Sequence, residues 1–143
     1  MHLDIAWLAA VVNYSLVAIE LEMVDPARQL ADLLAPYHDQ VAYQGVIGQE
    51  PVALCLGGLA SVLHHYDAAE TYFAEATELC ARGSMKYAEA HAQLLWGRML
   101  AVRGRATDSA RARTILQHAH ATATSNGYAM IEQKTAAALS TLS

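Results

Sequence analysis

The sequence predicts an all-α fold: about seven helices, paired as antiparallel hairpins and stacked into one helical-repeat domain over residues 1–143. Three observations lead there. Apolar residues recur at spacings of three and four along almost the whole chain, and strand signals are nearly absent. Alanine, the strongest helix former, dominates a composition that is 55% apolar and 16% charged, with a mean hydropathy of +0.18. Turn signals punctuate the periodic segments at "VDP" (24–26), "QGVIGQEP" (44–51), "HHYD" (64–67), "ARGS" (81–84), "RGRATD" (103–108) and "SNG" (125–127).

The first helix, about 3–22, is the run "LDIAWLAAVVNYSLVAIELEM". No positive residue precedes it, since the first Lys or Arg is Arg28, and Asp4, Asn13, Tyr14 and Ser15 interrupt an apolar stretch too short for a bilayer. The segment therefore reads as a buried helix rather than a signal peptide or membrane span. The second, about 26–38, opens with Asp25 before Pro26 at a first helical position. Residues 44–51 form the one long connection. Helices at 50–64 and 67–81 follow, the latter opened by Asp67. Gly83 ends that helix and Ser84 caps the next, 85–103; Gly127 then closes 109–125, and 128–141 comes last. Short connections make hairpins of 3–38, 50–81 and 85–125, with 128–141 as a capping helix.

The stretch "YDAAETYFAEATELCARG" carries small Ala69 and Ala76 around bulky Phe73 on one helix face. Opposite it, Leu56, Gly57 and Ala60 form a small-residue notch in which Gly57 admits a close backbone approach and Phe73 fills the remaining space. The next hairpin repeats the design, with Trp96, Gly97, Leu100 and Gly104 facing Ala112, Leu116 and Ala119. From Gly97 to Ala112 is three residues longer than from Gly57 to Ala69, an insertion that falls in "RATDSA". The first hairpin is weaker, with Ala27, Ala31 and Leu34 opposite Tyr14 and Ala18.

These residues resemble the tetratricopeptide repeat, whose 34-residue unit places Leu-Gly on its first helix and an Ala, aromatic, Ala triad on its second. The matching positions are Leu56, Gly57, Ala60, Tyr66, Ala69, Phe73 and Ala76, whereas Ala53 replaces the consensus Trp and Ala81 the closing Pro. The resemblance implies a right-handed solenoid. The succession of "LLAPYHDQVAYQG", the stretch running from "LCLGGLASVLHHYDAAETYF" to "LLWGRMLAVRG", and "ARARTILQHAHATATSNGYA" is also similar to the C-terminal helical region of large actinobacterial regulators. Those proteins join an ATPase module, and often a LuxR-type DNA-binding or adenylate-cyclase domain, to such a solenoid. What this implies is a cytoplasmic, non-catalytic interaction or sensory module in bacterial signal transduction and transcription regulation.

Enzyme motifs are missing from the sequence. It holds no G-x-x-x-x-G-K-[ST], G-x-S-x-G or H-E-x-x-H pattern, and no ATPase, cyclase or helix-turn-helix motif. Of the seven histidines, His64 and His65 are adjacent and point about 100° apart on a helix, while His118 and His120 face nearly opposite sides. Neither pair can chelate from one helix, and no spacing draws His91 into an inter-helix site. No metal or cofactor is expected. Cys55 and Cys80, expected as neighbours across their hairpin, lack C-x-x-C spacing and read as buried small hydrophobes of a reduced protein.

Charge is divided unevenly. Residues 1–81 hold eleven acidic side chains and one basic (net −10), and residues 82–143 eight basic and three acidic (net +5), consistent with −5 for the whole. In a stacked array this is a dipole along the stack. It reads as an untasked solvated surface, as a docking asymmetry for a partner or a second copy, or as an anion patch at Arg103, Arg105, Arg111 and Arg113. Nucleic acid fits poorly, because the chain is acidic and no aromatics interleave with these arginines.

The expected concave face draws on the first helix of each hairpin, which makes Val52, Ser61, His64, Gln93 and Met99 candidate exposed groove positions. A protein partner or neighbouring regulatory domains are the expected ligands. The alternatives are a small molecule held in the groove and self-association of the short stack.

Overall fold

A computed structural model describes residues 5–44 and 48–142. Its described residues contain seven α-helices: α1 (Ile5–Glu20), α2 (Val24–Leu34), α3 (Val52–Val62), α4 (Tyr66–Gly83), α5 (Lys86–Arg103), α6 (Asp108–Asn126) and α7 (Ala129–Ser140). Each lies where the periodicity predicts one, with ends shifted by a few residues. The second ends four residues before its expected bound, since Pro36 tightens the chain into a 3-10 turn at Ala35–Tyr37.

The expected loop at 44–51 is corrected. Strands β1 (Val41–Gln44) and β2 (Gly48–Pro51) pair antiparallel, with Val41 opposite Pro51 and Gln44 opposite Gly48. Residues 45–47 lie outside the described residues. The Val52 N–H donates to the Gln40 carbonyl at 2.9 Å, so the hairpin satisfies one of the first-turn donors that α3 leaves unpaired. Four-residue strands are too short for alternation to stand out in the sequence.

The chain divides into two compact units, residues 1–76 and 77–143, the division falling within α4. In the first, α3 is buried at every position from Val52 to Ala60, the behaviour of a helix that is apolar all round. Two consecutive glycines set its neighbours. A Cβ on Gly57 would lie 2.6 Å from the ring of Phe73 on α4, and a Cβ on Gly58 would lie 2.4 Å from Ile19 Cδ1 on α1. Phe73 is fully buried, and removing such a side chain from water stabilises by roughly 1.5–3 kcal/mol.

The second unit is an antiparallel array of α5, α6 and α7. The pairs Gly97 with Leu116 and Gln93 with His118 run in opposite directions along α5 and α6. His120 with Thr135 and Arg113 with Leu142 do the same for α6 and α7 with its end. Ala90, Ala123 and Ile131 close one end of this array, with Tyr128 packed against them.

Four helix ends, those of α1, α3, α4 and α6, share one closure. Met23, His65, Met85 and Tyr128 donate their N–H back to Ala18, Ala60, Cys80 and Ala123, each the long bond of a Schellman turn. The preceding residue is left-handed in each case: Glu22 (φ 51°), His64 (φ 62°), Ser84 (φ 55°) and Gly127 (φ 74°). The last fits the expected stop. Gly83 does not, because it remains inside α4 and Ser84 takes the left-handed position; Met85 stands at the N-cap of α5 without a side-chain cap bond. Pro26 is likewise the third residue of α2, whose N-cap is Met23.

Candidate functional site

The small-residue packing positions are interior. Leu56, Gly57, Ala60, Ala69, Phe73, Ala76, Gly97, Leu100, Ala112, Leu116 and Ala119 are buried. Tyr66 and Trp96 are half-buried; Tyr66 stacks on His64 at 5.6 Å, and the Trp96 indole N–H is buried with no acceptor among the described residues. The close approach at Gly57 recurs at Gly97, where a Cβ would lie 2.5 Å from Leu116 Cγ.

Of the five groove candidates, two are corrected outright. Val52 and Met99 are buried, because α3 is enclosed from its first residue and the Met99 side of α5 is an interior face. Ser61 is half-buried and donates to the Gly57 carbonyl at 2.9 Å. Gln93 is half-buried and bonds His118 Nδ1 at 3.0 Å. His64 alone is exposed, on a left-handed backbone at the end of α3.

Within the basic cluster, Arg103 and Arg111 direct their guanidinium groups at one carboxylate. Arg103 grips Asp108 with Nε to Oδ2 at 2.7 Å and Nη2 to Oδ1 at 2.9 Å, and both side chains are buried, at 7% and 1% exposure. The Arg105 N–H donates to Oδ2 at 3.0 Å and the Arg111 guanidinium stands 3.6 Å from Oδ1. The Arg103 hydrogen bond, the Arg105 N–H and the charges of Arg103 and Arg111 outweigh burial and hold the Asp108 carboxyl at about 2. Arg113 donates to the Leu142 carbonyl at 2.9 Å. Arg103 is therefore no surface docking group, and the six residues from Arg103 to Asp108 are a loop folded around an acid. Arginines at offsets of −5, −3 and +3 from Asp108 are the sequence signal for this centre.

Other titratable groups are spread out. His38 Nδ1 meets Glu75 Oε1 at 2.8 Å on the surface, a contact that raises the His38 pKa through that hydrogen bond and the Glu75 charge. His120 bonds the buried Thr135 hydroxyl at 3.0 Å. His91 is buried, and His65 is exposed. Among the described residues no group of three His, Cys, Asp or Glu side chains is placed to hold a metal ion. Cys55 lies in the first unit and Cys80 in the second, both buried; burial, then the charge of Glu50, pushes the Cys55 thiol well up.

The largest departure from expectation is α1. Its inner face, Leu8, Val11, Val12, Ser15 and Ala18, is buried, with the Ser15 hydroxyl turned back to the Val11 carbonyl at 2.8 Å. The outer face is equally apolar and faces solvent. Trp7 (37% exposed), Ala10, Tyr14 (71%), Val17 (53%) and Leu21 (67%) recur at spacings of three and four. Leu21 stays on the stripe because its N–H continues the helix to the Val17 carbonyl at 3.0 Å, and the Trp7 ring sits edge-on to Tyr37 at 5.7 Å. The first helix is thus buried on one side only. No described helix is long and apolar enough to cross a membrane.

Compared with protein families, with curated proteins and with solved structures, the chain finds no match.

Proposed function

We propose that this chain is a non-catalytic, cytoplasmic protein-interaction module, a tetratricopeptide-like solenoid serving a bacterial signalling or transcription-regulatory system. The regulatory setting rests on the sequence resemblance, and the interaction role rests on one structural observation: the exposed apolar stripe of α1. Proteins whose role is only to stay folded and dissolved seldom keep a contiguous apolar surface of this kind, and a helix face with anchors three and four apart suits another helix as partner. Four buried or half-buried polar side chains serve to close the scaffold. Asp108 folds a loop, Thr135 bonds Ile131 and His120, and Ser15 and Ser61 bond their own helices.

The test is capture from a bacterial extract by the immobilised chain, in parallel with Tyr14→Glu and Val17→Lys, both exposed enough to leave folding intact. Capture of the chain itself or of another protein by the native form, lost in both variants, is expected. Equal capture by all three refutes the stripe as the interaction site. Thermal stabilisation by a small metabolite, unchanged in the variants, would favour a ligand receptor instead.

A further inference from the structure

We infer that the occupant of the α1 stripe is a second copy of the same stripe, packed antiparallel to form a homodimer. This rests on the interaction reading above and adds to it a partner, a direction and a register. Spacings of three and four between Trp7, Ala10, Tyr14, Val17 and Leu21 are those of a two-helix seam, which a helix of the same sequence can meet in kind.

Charge favours a copy over the other apolar partner available to such a helix, a lipid surface. Residues 1–27 contain no Lys or Arg, while Glu20, Glu22 and Asp25 cluster beyond the stripe, so anionic headgroups would be repelled. Residues 5–19 contain no charged side chain at all, so pairing the stripe with itself removes no charge from water.

Direction follows from the same acids. A parallel pair would bring Glu20, Glu22 and Asp25 of both copies together at one end, whereas an antiparallel pair sets that cluster against the single acid the sequence places before the stripe, Asp4. Register follows from size. With the two-fold axis between positions 10 and 14, small Ala10 receives the partner's Tyr14 and Trp7 receives the partner's Val17, so bulky and small residues alternate across the seam.

Since an aromatic side chain alone presents about 150–250 Å², the exposed fractions of the five stripe residues leave on the order of 500 Å² per copy. A dimer covering both stripes would bury at most about 1,000 Å², with Leu21 extending one turn beyond the partner's Trp7, so the interface is small and the dimer is expected to be weak and concentration-dependent.

The experiment is light scattering coupled to size exclusion on the full chain from about 1 to 300 μM, a range suited to a small, weak interface. A concentration-dependent dimer is expected. Tyr14→Glu, which sets a carboxylate against the seam, should weaken it at least tenfold, and Val17→Lys should do the same. Oxidative cross-linking fixes the direction. A mixture of Trp7→Cys and Val17→Cys chains should form the crossed disulfide, while neither chain alone should, because like positions lie ten residues, about 15 Å, apart along an antiparallel seam. Cys55 and Cys80 stay in place, being buried.

A monomer throughout the range overturns the homodimer, and stripe-dependent capture of a different protein would leave the interaction reading standing without it. A dimer untouched by both charge variants overturns the stripe. Efficient closure by single-cysteine chains, with none in the mixture, overturns the antiparallel register. Co-flotation of the native chain, but not Tyr14→Glu, with phosphatidylcholine–phosphatidylglycerol vesicles assigns the stripe to lipid and overturns the proposal.

Discussion

Gly57→Ala should destabilise the protein in one background and stabilise it in another. The added Cβ would stand 2.6 Å from Phe73 Cδ1 and Cε1 and 3.0 Å from Cγ, whereas carbon atoms rest at about 3.5–4.0 Å. The ring must retreat by about 1 Å to reach ordinary contact distance. Phe73 is fully buried in a close-packed interior, so it has nowhere to go, and overpacking of this kind costs about 1–3 kcal/mol. Against that, alanine is favoured over glycine inside a helix by about 1 kcal/mol. The clash is severe enough to draw on the upper part of its range, so the expected net loss is about 1–2 kcal/mol. Phe73→Ala removes every side-chain atom that the Cβ would strike. In that background the same substitution keeps its helical advantage and should gain up to about 1 kcal/mol. The assay is urea denaturation followed by circular dichroism on the four chains of the cycle, comparing midpoints at constant slope. A higher midpoint for Gly57→Ala in both backgrounds would refute the close approach of α3 and α4.

The remaining expectations concern helix ends and charges. His64→Gly removes a left-handed strain of about 1–2 kcal/mol and incurs part of it again in unfolded-chain entropy, so it should raise the urea midpoint by the equivalent of about 0.5–1 kcal/mol. Asp108→Asn should lower stability at neutral pH. Because the folded carboxyl sits at about 2 and its ordinary value is 3.8, the contribution is fully present above about pH 4 and is lost as pH falls towards 2, where the midpoints of native and variant chains should converge. His38 has the opposite sign. Its raised folded pKa favours the folded chain below the ordinary value of 6.5, and that gain fades as pH rises through the folded value; Glu75→Gln should return the His38 NMR titration towards 6.5.

The helices were legible because each carries its own period and its own stop, and neither depends on what surrounds it. Gly57, Phe73, Gly97 and Leu116 were legible as packing partners for a related reason, since a glycine opposite a bulky residue records a close approach in the sequence itself. Three features were not readable in that way. The β1 and β2 strands are four residues each, and the alternation in "VAYQ" is indistinguishable from a fragment of helix period. Left-handed helix ends at Glu22, His64 and Ser84 use residues that advertise no such conformation, so the sequence points to a stop at Gly83 instead. Arg103 and Met99 show the third limit. Arginine usually stays in solvent, but a buried Asp108 five residues on draws it inside, and a long apolar side chain on α5 follows the core rather than the groove.

For α1 the difficulty was different, because its sequence answers the question of burial twice. Ile19 seats against Gly58, and Leu8, Val11, Val12 and Ala18 are buried, so the inner face suffices to dock the helix. An outer face needed only for solubility would carry Glu and Lys pairs at intervals of four, which also support a helix. Instead residues 5–19 exclude charge entirely, while residues 1–81 as a whole are acidic by ten charges. Chain-wide hydrophobicity cannot account for that contrast, since α4 in the same sequence sets Asp67, Glu70, Glu75 and Glu78 beside its buried Ala69, Phe73 and Ala76. Acidic side chains cluster at the end of the stripe, at Glu20, Glu22 and Asp25, and leave its length uncharged, as the apolar core of an interface is. The outer face of α1 is therefore best understood as half of a core, completed when a second apolar helix covers it.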